Sequence, residues 1–481
     1  MSSGLRHAFR HRGGSYLYDA ETNALLSVDP VVYALATADE PAFQAASADE
    51  RRRARREWTD ARRDGLLGDG RPRRLQSCRS CHPDGDVPVE HLTLSLTDRC
   101  NLRCRYCAYT HGGVSGVRPH GHAVMELEVL ERAVRGFLHA AGRVKSPVLS
   151  LYGGEPLLAA DLLRRALDLV RDEAPRPDVR VVVDTNGLLL EDAGLRALLS
   201  ERRVDLQVSL DGPAEIHDRH RRTVDDGPSH ARILAGLRAL LREDPDAAAR
   251  LRFQITVVDP RDLPAVADWF RGFPPFRELG LETVPSLGVS MADLTGAPHL
   301  EPSADDEDLD AAFHAMRRRY VAHRADPHAA PDPVPLAMFD PDIIRWHHRD
   351  RRPLGSHVTP AGFCHAGVRR RHLTVDGRWQ PCERVGEGHV LGSVAEGFDP
   401  AAAAAPERRF AHAMAGRCPS CWAVRFCTVC ASHTAGSADG GVPESVCRRV
   451  RASREAVLRL FLDLEREGEG ALAFLRTTSV A

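Results

Sequence analysis

The sequence predicts an α/β protein: a partial (β/α)6 barrel of the TIM type between a small N-terminal domain and a cysteine-rich C-terminal domain. The first observation behind this prediction is that strand-like stretches alternate with helical ones from His91 onward, as in a parallel sheet built from βαβ units. The second is that the cysteines from Cys364 onward fall between short strands and polar loops. A small domain whose core is stabilised by bound metal would account for such a region.

The first domain is expected over residues 1–85. Its stretch SYLYDAETNALLSVDP has two runs rich in Tyr, Leu and Val around a polar turn at Asp19 to Asn23, which predicts a β-hairpin. The stretches VVYALATA and ADERRRARREWTDARRDGLL that follow have helical periodicity. A hairpin with helices is too small to be the catalytic body.

The barrel is expected over residues 86–292. Its predicted strands are HLTLSLT, VLSLYGG, VRVVVDTNG, VDLQVSLDG, LRFQITVVD and ELGLETV. Helical stretches such as MELEVLERAVRGFLHA separate them. Six such units would form an open barrel, and the active site should lie at the carboxyl ends of its strands.

Residues 293–355 are expected to bridge the barrel and the C-terminal domain, with one predicted helix, LDAAFHAMRRRYVAHR. The C-terminal domain is expected over residues 356–481 and includes the short strands of RHLTVDGRWQ. Its final stretch, SREAVLRLFLDLEREGEG, is amphipathic and predicts a helix that packs on the body of the protein.

Composition excludes several classes of protein. The chain has 481 residues, and its 65 Lys and Arg nearly balance its 67 Asp and Glu, so nothing in the charge demands a nucleic-acid partner. No stretch reaches the roughly 18 apolar residues of a membrane span, and the start lacks the apolar core of a signal peptide. A cytoplasmic protein is expected, in which the 12 cysteines serve as cluster or zinc ligands instead of forming disulfides.

A cysteine motif follows the first barrel strand. Cys100, Cys104 and Cys107 stand in a Cys-x3-Cys-x2-Cys pattern directly after HLTLSLT. Three thiolates on one short loop can hold three irons of a [4Fe-4S] cube and leave the fourth iron open to another ligand. The alternative is a zinc site, which would need a fourth ligand nearby.

The pattern, its position after strand one and the aromatic Tyr106 resemble the radical S-adenosylmethionine (AdoMet) superfamily. The resemblance implies that AdoMet chelates the open iron and is cleaved to methionine and a 5'-deoxyadenosyl radical, which abstracts a hydrogen from the substrate. It also implies that Cys100, Cys104 and Cys107 are the catalytic residues and that Tyr106 contacts the cofactor.

The ends of the next strands carry the remaining expected AdoMet contacts. Strand two ends in LYGGEPLL, which resembles the family's GGEP motif for the amino group of AdoMet, and glycine there would let the backbone approach the ligand. DTNG and SLDG end strands three and four, and Ser209 is a candidate ribose contact. In HDRHRR, Arg221 is a candidate for the AdoMet carboxylate, with Arg219 and Arg222 as competitors. The resemblance thus names Gly153, Gly154, Glu155, Pro156, Thr185, Asn186, Ser209, Asp211 and Arg221.

The C-terminal cysteines resemble the seven-cysteine SPASM extension of radical enzymes that mature peptides and proteins. By matching position, one auxiliary [4Fe-4S] cluster would be held by Cys418, Cys421, Cys427 and Cys447. The other would be held by Cys364, Cys382 and Cys430, with an open iron or a local ligand such as His365. One departure concerns Cys430, because two residues separate it from Cys427 where the family has three. Paired zinc knuckles are the alternative, and the further pair Cys78 and Cys81 lies outside both patterns.

The N-terminal phrase YLYDAETNALLSVDP resembles the leader-recognition domains of maturases that act on ribosomally made peptides. Such domains form a small winged helix and add the leader peptide as a strand to a sheet edge. A generic cap on the barrel is the alternative. The resemblance implies a precursor peptide with a leader as partner and a flavodoxin or ferredoxin as electron donor.

The phrase PCER at Cys382 is similar to peptide maturases that form thioethers. Sulfatase-maturating relatives have an Asp after this Cys that acts as a base, and Glu383 could do comparable work. The charged pair Glu383 and Arg384 is nevertheless expected on the surface. The sequence therefore predicts an enzyme that installs a thioether or carbon–carbon crosslink in a peptide, with formylglycine-generating sulfatase maturation as alternative. A non-catalytic metal-binding peptide carrier is the alternative of another class, which the AdoMet motifs disfavour.

Overall fold

The structure is a computed structural model that describes most of the chain. It describes residues 5–68, 73–76, 89–107, 109–110, 119–281, 285–292, 306–326, 328–362, 366–385, 389–434, 437 and 439–478. Three cysteines with predicted or open roles, Cys78, Cys81 and Cys364, lie outside these ranges, as does His365.

Strands occur in the N-terminal, barrel and C-terminal regions of the described chain. They are β1 (Arg6–His11), β2 (Gly14–Asp19), β3 (Ala24–Val28), β4 (Arg74–Leu75), β5 (His91–Thr97), β6 (Val148–Gly153), β7 (Arg180–Thr185), β8 (Asp205–Ser209), β9 (Leu251–Val257), β10 (Ser286–Met291), β11 (His357–Val358), β12 (Arg370–Leu373), β13 (Trp379–Gln380), β14 (Gly392–Ser393) and β15 (Gly397–Phe398). The two longest, β5 and β9, belong to the barrel.

Helices alternate with the barrel strands and also flank the barrel. They are α1 (Pro30–Thr37), α2 (Glu40–Ala45), α3 (Ala48–Arg63), α4 (Leu127–Ala141), α5 (Ala160–Glu173), α6 (Ala193–Glu201), α7 (Ala214–His220), α8 (His230–Glu243), α9 (Leu263–Arg271), α10 (Pro274–Glu278), α11 (Asp306–Ala325), α12 (Pro333–His347), α13 (Pro400–Ala413) and α14 (Glu444–Arg466). Within the described ranges, no helix combines the length and the apolar character that crossing a bilayer requires.

The N-terminal strands form a separate antiparallel sheet in the order β1-β2-β3. The predicted hairpin is confirmed, since β2 pairs with β3 from Ser15 opposite Val28 to Asp19 opposite Ala24. Asn23 takes the left-handed conformation that a tight turn requires, with φ of 63°. The predicted helices are also present, and Ser47 and Glu50 form a capping box at the start of α3.

The barrel strands form one sheet in the order β10-β9-β8-β7-β6-β5-β12-β13. From β5 to β10, each strand pairs in parallel with the next along the chain. The intervening helices bury apolar faces against the sheet, for example Leu130, Val134 and Phe137 of α4. The predicted α/β fold class with a partial barrel is therefore confirmed.

Two strands differ from the prediction. The sixth barrel strand is β10, SLGVSM, whereas the predicted stretch ELGLETV begins at the end of α10 and includes residues 282–284, which lie outside the described ranges. In addition, β12 pairs in parallel with β5, with Arg370 opposite His91. The stretch RHLTVDGRWQ therefore extends the barrel sheet, where a separate small core was expected.

The bridging region contains a helix that the sequence analysis missed. Besides the predicted helix, which is α11, the chain forms α12 in a stretch with several prolines. Pro333 and Pro335 lie in the first turn of α12, where the backbone N–H groups have no partner within the helix, so proline is tolerated. α12 packs against α9 and against β10, the edge strand of the barrel sheet, and contributes to the wall of the cavity described below.

The N-terminal sheet packs on the C-terminal region through aromatic and ionic contacts. Tyr18 is fully buried and meets Trp346, Trp422 and Phe426 edge-on, at ring-centre distances of 5.4, 6.3 and 5.5 Å. The ionic contact centres on Asp463 of α14, which is 3% exposed. It binds His11 Nε2 at 2.6 Å, Arg12 Nε at 2.8 Å and Arg317 Nε of α11 at 2.9 Å.

We expect Asp463→Ala to loosen this junction. Removal of the carboxylate leaves the Arg317 guanidinium half-buried without its partner, and breaking such a pair costs about 3 kcal/mol of unfolding free energy. Hydrogen exchange should then accelerate at the end of β1, since His11 loses its contact with α14 while His7 keeps its contact with Glu455. Asp172→Asn, which changes an exposed carboxylate on α5, is the control and should leave exchange unchanged. Unchanged protection of β1 in Asp463→Ala would contradict the assignment.

Candidate active site

A large cavity runs along the inside of the barrel strands and reaches their carboxyl ends. Its volume is about 1240 Å³, and its wall includes residues of the loop after β5, of the strand ends β6 to β10, of α12 and of the segment after Cys382. This is the place where an open barrel is expected to bind its substrate.

The cysteine loop forms one wall of this cavity. Cys100, Cys104 and Cys107 all line it. The loop is tied to the segment after α7, because the N–H of Arg103 donates to the Arg222 carbonyl at 2.7 Å and the N–H of Arg105 donates to the His220 carbonyl at 2.9 Å. The position of the cysteines is thus set by main-chain contacts between two barrel loops.

The three cysteines fit an iron–sulfur cluster. Burial raises the pKa of Cys100 to about 11 and that of Cys104 to about 12, so these thiols ionise only when a metal supplies compensating charge. In the described part of the chain, no three His, Cys, Asp or Glu side chains converge at the spacing of a single metal ion. The cysteines surround a space instead of a point, which suits a multi-iron cluster better than zinc.

Gly153 and Gly154 lie against the base of the cysteine loop. The N–H of Gly154 donates to the Thr97 carbonyl and that of Glu155 to the Arg99 carbonyl, both at 2.8 Å. A Cβ at Gly153 would collide with the Thr97 carbonyl and one at Gly154 with the Arg99 carbonyl. Gly153 also has φ of 138°. Glycine is therefore required here by close approach of the chain to itself, in addition to the expected approach of a ligand.

Glu155 is fully buried and anchors the end of β7. Its Oε1 accepts hydrogen bonds from Thr185 Oγ1 at 2.8 Å and from the N–H of Leu157 at 3.1 Å, and its Oε2 accepts one from the N–H of Asn186 at 2.8 Å. Burial nevertheless raises the pKa of Glu155 to about 7. Its carboxylate is thus occupied within the protein and orients the DTNG turn, whose Asn186 Nδ2 lies 3.9 Å from Cys100 Sγ.

Tyr106 of the cysteine loop forms a cluster with Asp211 and Arg221, both of which are buried. The Tyr106 hydroxyl donates to Asp211 Oδ2 at 2.7 Å, and Arg221 Nε donates to the same oxygen at 2.7 Å. Although burial favours the neutral acid, Arg221 holds the pKa of Asp211 below its ordinary value. Arg221 thus already has a carboxylate partner inside the protein, whereas its competitors Arg219 and Arg222 pair with Asp262 and Asp226 near the surface.

The structure separates the residues predicted to bind AdoMet into two sets. Those that line the cavity are Tyr106, Gly153, Gly154, Thr185, Asn186, Ser209 and Arg221. Those buried behind its wall are Glu155, Pro156 and Asp211. The AdoMet contacts themselves stay predictions.

Sequence analysis missed several polar residues of the cavity. Asp184, Gln207, Tyr109 and Tyr152 line it, and their positions on inward-facing strand ends or beside the cysteine motif were the available signal. Glu383 differs from the expected surface placement: it lines the cavity, and its Oε2 is shielded from solvent without a hydrogen-bond partner in the described structure. The carbonyl of Glu383 lies 3.5 Å from the Tyr109 hydroxyl.

The raised pKa of Asp184 can be tested by measuring stability at two pH values. Burial, followed by the charge of Glu383, raises its pKa to about 7, far above the value in the unfolded chain. The folded state therefore binds more protons between these two values, and stability falls as pH rises through this window. We expect Asp184→Asn to stabilise the protein more at about pH 8 than at about pH 5 in urea unfolding. An equal effect at both pH values would contradict the ionisation, and Asp172→Asn is the control.

The C-terminal cysteines form a second centre. Cys418, Cys421, Cys427 and Cys447 all line one small cavity of about 40 Å³ beneath α13 and α14. Burial, and next the nearby Cys421 thiol, raise the pKa of Cys418 to about 12. This grouping is the one predicted for one auxiliary cluster, and the four thiols around a common space fit it.

The second predicted auxiliary set is only partly described. Cys382 and Cys430 are half-buried, and Cys364 lies outside the described ranges. Cys430 Sγ lies 2.8 Å from Ser432 Oγ. Although burial acts in the opposite direction, hydrogen bonds from His433 and Ser432 lower the pKa of Cys430 to about 7. This set stays a prediction.

Comparison with known proteins gives the same assignment for the barrel. Residues 94–249 match the model of the Radical SAM superfamily. The cysteine-type anaerobic sulfatase-maturating enzyme of Clostridium perfringens (strain 13 / Type A) is 31% identical over 138 residues, which cover 28% of this chain and 36% of that enzyme. The match thus spans little more than a third of the relative's length.

Two solved structures share the fold over most of the chain. Native anSMEcpe with bound AdoMet and Cp18Cys peptide superposes with a TM-score of 0.57 at 17% identity, covering 81% of this chain and 100% of that one. Streptococcus suis SuiB bound to S-adenosylmethionine superposes with a TM-score of 0.50 at 13% identity, covering 93% and 100%. At these identities the likeness establishes the fold. The barrel of this chain therefore carries a Radical SAM superfamily domain over residues 94–249, within a fold that both solved structures share over most of the chain.

Proposed function

We propose that this protein is a peptide maturase that installs a thioether or carbon–carbon crosslink in a ribosomally made precursor peptide. The observation that carries the proposal is the shared cavity. Its wall contains the cysteines of the loop after β5 and also Glu383, directly after Cys382 of the cysteine-rich region. A peptide in this cavity would lie between the two kinds of predicted cluster site.

The residues of the cavity would act by binding and positioning. Cys100, Cys104 and Cys107 would hold the [4Fe-4S] cluster, and the ends of β6 to β8 would hold AdoMet through Gly153, Gly154, Thr185, Asn186 and Ser209. Once bound, these groups supply a 5'-deoxyadenosyl radical that takes a hydrogen from the peptide. α12, which packs against β10 and lines the cavity, would limit the access of water to such a radical.

The C-terminal cysteines would hold two auxiliary clusters that accept the surplus electron, and a flavodoxin or ferredoxin would supply the first electron. The N-terminal sheet would bind the leader of the peptide. β3 lies at an edge of that sheet, so its outer main-chain groups can pair with an added strand. The packing of this sheet on the C-terminal region would hold the bound leader at a fixed distance from the cavity.

Maturation of a sulfatase to its formylglycine form is the second candidate. Two observations favour it: the similarity to a sulfatase-maturating enzyme over part of the barrel, and the position of the Glu383 carboxyl group in the cavity. A carboxylate there could accept the proton that a substrate thiol or hydroxyl loses.

The test begins with protein purified without oxygen and reconstituted with iron and sulfide. Dithionite and AdoMet are added, and 5'-deoxyadenosine and iron are quantified. We expect 5'-deoxyadenosine and about twelve irons per chain, as three four-iron clusters require. Bound zinc without 5'-deoxyadenosine would contradict the proposal.

Peptides encoded beside the gene are then added, and the products are analysed by mass spectrometry. A crosslink removes two hydrogen atoms and retains sulfur. Formylglycine formation from cysteine removes the sulfur and leaves an aldehyde that reacts with hydrazines. The two candidate functions are thereby separated.

A further inference from the structure

A group of polar side chains in the cavity has no place in the predicted AdoMet site. It comprises Tyr109, Tyr152, Asp184, Gln207 and Glu383, and all of them line the cavity. Tyr152, Asp184 and Gln207 lie on the neighbouring strands β6, β7 and β8. Tyr109 and Glu383 lie in loops, shortly after Cys107 and Cys382. We call this group the acidic subsite.

The acidic subsite holds two carboxyl groups that lack compensation. Gln207 Nε2 donates a hydrogen bond to Asp184 Oδ1, which fixes the orientation of this carboxyl group. Burial and the charge of Glu383 disfavour the ionised form of Asp184 and raise its pKa to about 7. Glu383 Oε2 is shielded from solvent and has no hydrogen-bond partner in the described structure. A buried acceptor without a donor is costly, so the pair calls for a ligand that donates hydrogen bonds.

The arginines of the cavity wall around the acidic subsite are Arg252, Arg370 and Arg384. Burial raises the pKa of Asp184 more than Arg370 and Arg252 lower it. All three arginines are exposed, and Arg370 Nη2 lies 3.1 Å from His91 Nδ1. Within the described residues, none of the three forms an ion pair with Asp184 or Glu383. The negative charge of the subsite therefore remains available to a ligand.

The rest of the subsite favours an organic cation. Tyr109 and Tyr152 line the same space, and tyrosine rings and hydroxyls attract ammonium and guanidinium groups. A metal ion fits less well, because no three potential ligands in the described structure converge on one point.

We propose that the acidic subsite binds the cationic side chain of a lysine or arginine in the substrate peptide. This inference rests on the proposed function, because it assigns a substrate class to the same cavity. The subsite adjoins the cysteine loop: His120 Nε2 lies 3.9 Å from Cys107 Sγ, and the His120 ring contacts the Tyr109 ring at a centre distance of 5.8 Å. A basic residue held there would place its neighbours in the peptide beside the predicted AdoMet site.

The test uses two short peptides, acetyl-Gly-Lys-Gly-amide and the same peptide with norleucine in place of lysine. The norleucine chain keeps the apolar contacts and lacks the charge. Dissociation constants are measured by NMR titration with the reconstituted full-length protein and AdoMet. We expect the lysine peptide to bind about tenfold more tightly, as hydrogen bonds to a charged group provide. Equal binding of the two peptides, including no detectable binding of either, overturns the proposal.

Variants test whether the preference for the lysine peptide depends on the acidic subsite. Asp184→Asn and Glu383→Gln should each reduce it, and the double variant should abolish it. The two substitutions lie on separate segments, so a folding defect in one leaves the other as a test; circular dichroism and iron content check folding. Asp172→Asn and Glu201→Gln, which change exposed carboxylates outside the cavity, should keep the preference. A preference that survives in the double variant overturns the assignment.

The same samples separate this inference from the proposed function. Formation of 5'-deoxyadenosine without a preference for lysine leaves the proposed function standing and overturns the subsite. A preference for lysine without 5'-deoxyadenosine supports the subsite and contradicts the proposed function. Displacement of the lysine peptide by millimolar Mg²⁺ would assign the site to a metal ion and overturn the proposal.

Discussion

Cys104→Ala is expected to abolish formation of 5'-deoxyadenosine and to remove about four irons per chain. Cys104 is the most buried cysteine of the loop after β5, and it lines the cavity together with the two other thiols. A cube held by two thiolates has lost a third of its protein ligands. The substitution should leave the fold intact, since alanine fits a position that is already apolar and buried. Iron analysis, chromatography of the nucleoside and circular dichroism check these expectations.

Cys418→Ala is the matched control. It removes a thiol from the small cavity beneath α13 and α14, which is separate from the barrel cavity. We expect it also to remove about four irons but to leave the reductive cleavage of AdoMet in place. If Cys104→Ala still produced 5'-deoxyadenosine, or if both variants lost it equally while folded, the assignment of AdoMet cleavage to the cysteines after β5 alone would be wrong.

Arg221→Met should produce the largest loss of stability among the cavity residues. Arg221 and Asp211 are 6% and 3% exposed, and Arg221 donates to both carboxylate oxygens, at 2.7 and 3.2 Å. Removal of the guanidinium leaves a carboxylate buried without its counter-charge, which costs about 3–5 kcal/mol of unfolding free energy. The shift of the urea midpoint measures this loss.

The neighbouring arginine provides the control. Arg222 Nε pairs with Asp226, a carboxylate whose side chain is 72% exposed, so Arg222→Met should lower the unfolding free energy by less than about 1 kcal/mol. Asp211→Asn in the Arg221→Met background should recover part of the stability, because it removes the unpaired charge. Equal losses in the two arginine variants would show that the buried pair is not a centre of stability.

These variants bear on the predicted role of Arg221 as well. Its guanidinium lies over the Tyr106 ring at 5.3 Å and is bound to Asp211, so it acts first as the link between the cysteine loop and the segment after α7. An AdoMet carboxylate would have to share this guanidinium with Asp211. Loss of cluster binding in Arg221→Met, measured as iron content of the folded fraction, would identify Arg221 as a positioning residue for Cys104.

The acidic subsite and the pH test on Asp184 support each other. Above the pKa of Asp184, its ionised carboxylate lowers the unfolding free energy of the ligand-free protein. A bound cation would offset this loss of stability. The stabilising effect of Asp184→Asn and its loss of lysine preference are therefore two results of one uncompensated charge. This follows the general observation that functional groups are often placed at a cost to stability.

Local sequence determined much of the outcome. The spacing of Cys100, Cys104 and Cys107 after a strand, and the alternation of apolar strands with helices, depend on neighbours in the chain, so they indicated the barrel and its cysteine loop directly. The hairpin at Asp19 to Asn23 was predictable for the same reason. The predictions that were wrong or missing concern elements whose local sequence is ambiguous. α12 contains several prolines, and the stretches ELGLETV and SLGVSM both resemble the sixth strand.

Tertiary structure alone decided which distant groups meet. The pairing of β12 with β5, the burial of Tyr18 against Trp346 and Trp422, and the grouping of Cys418 with Cys447 join segments far apart in sequence. The same holds for Glu383, which its local sequence placed on the surface but which lines the same cavity as Asp184. The sequence by itself determined which functional side chains each segment contains, because spacing and periodicity are local properties. The fold decided which of these side chains line one cavity, because burial and charge compensation depend on all the segments that surround a group.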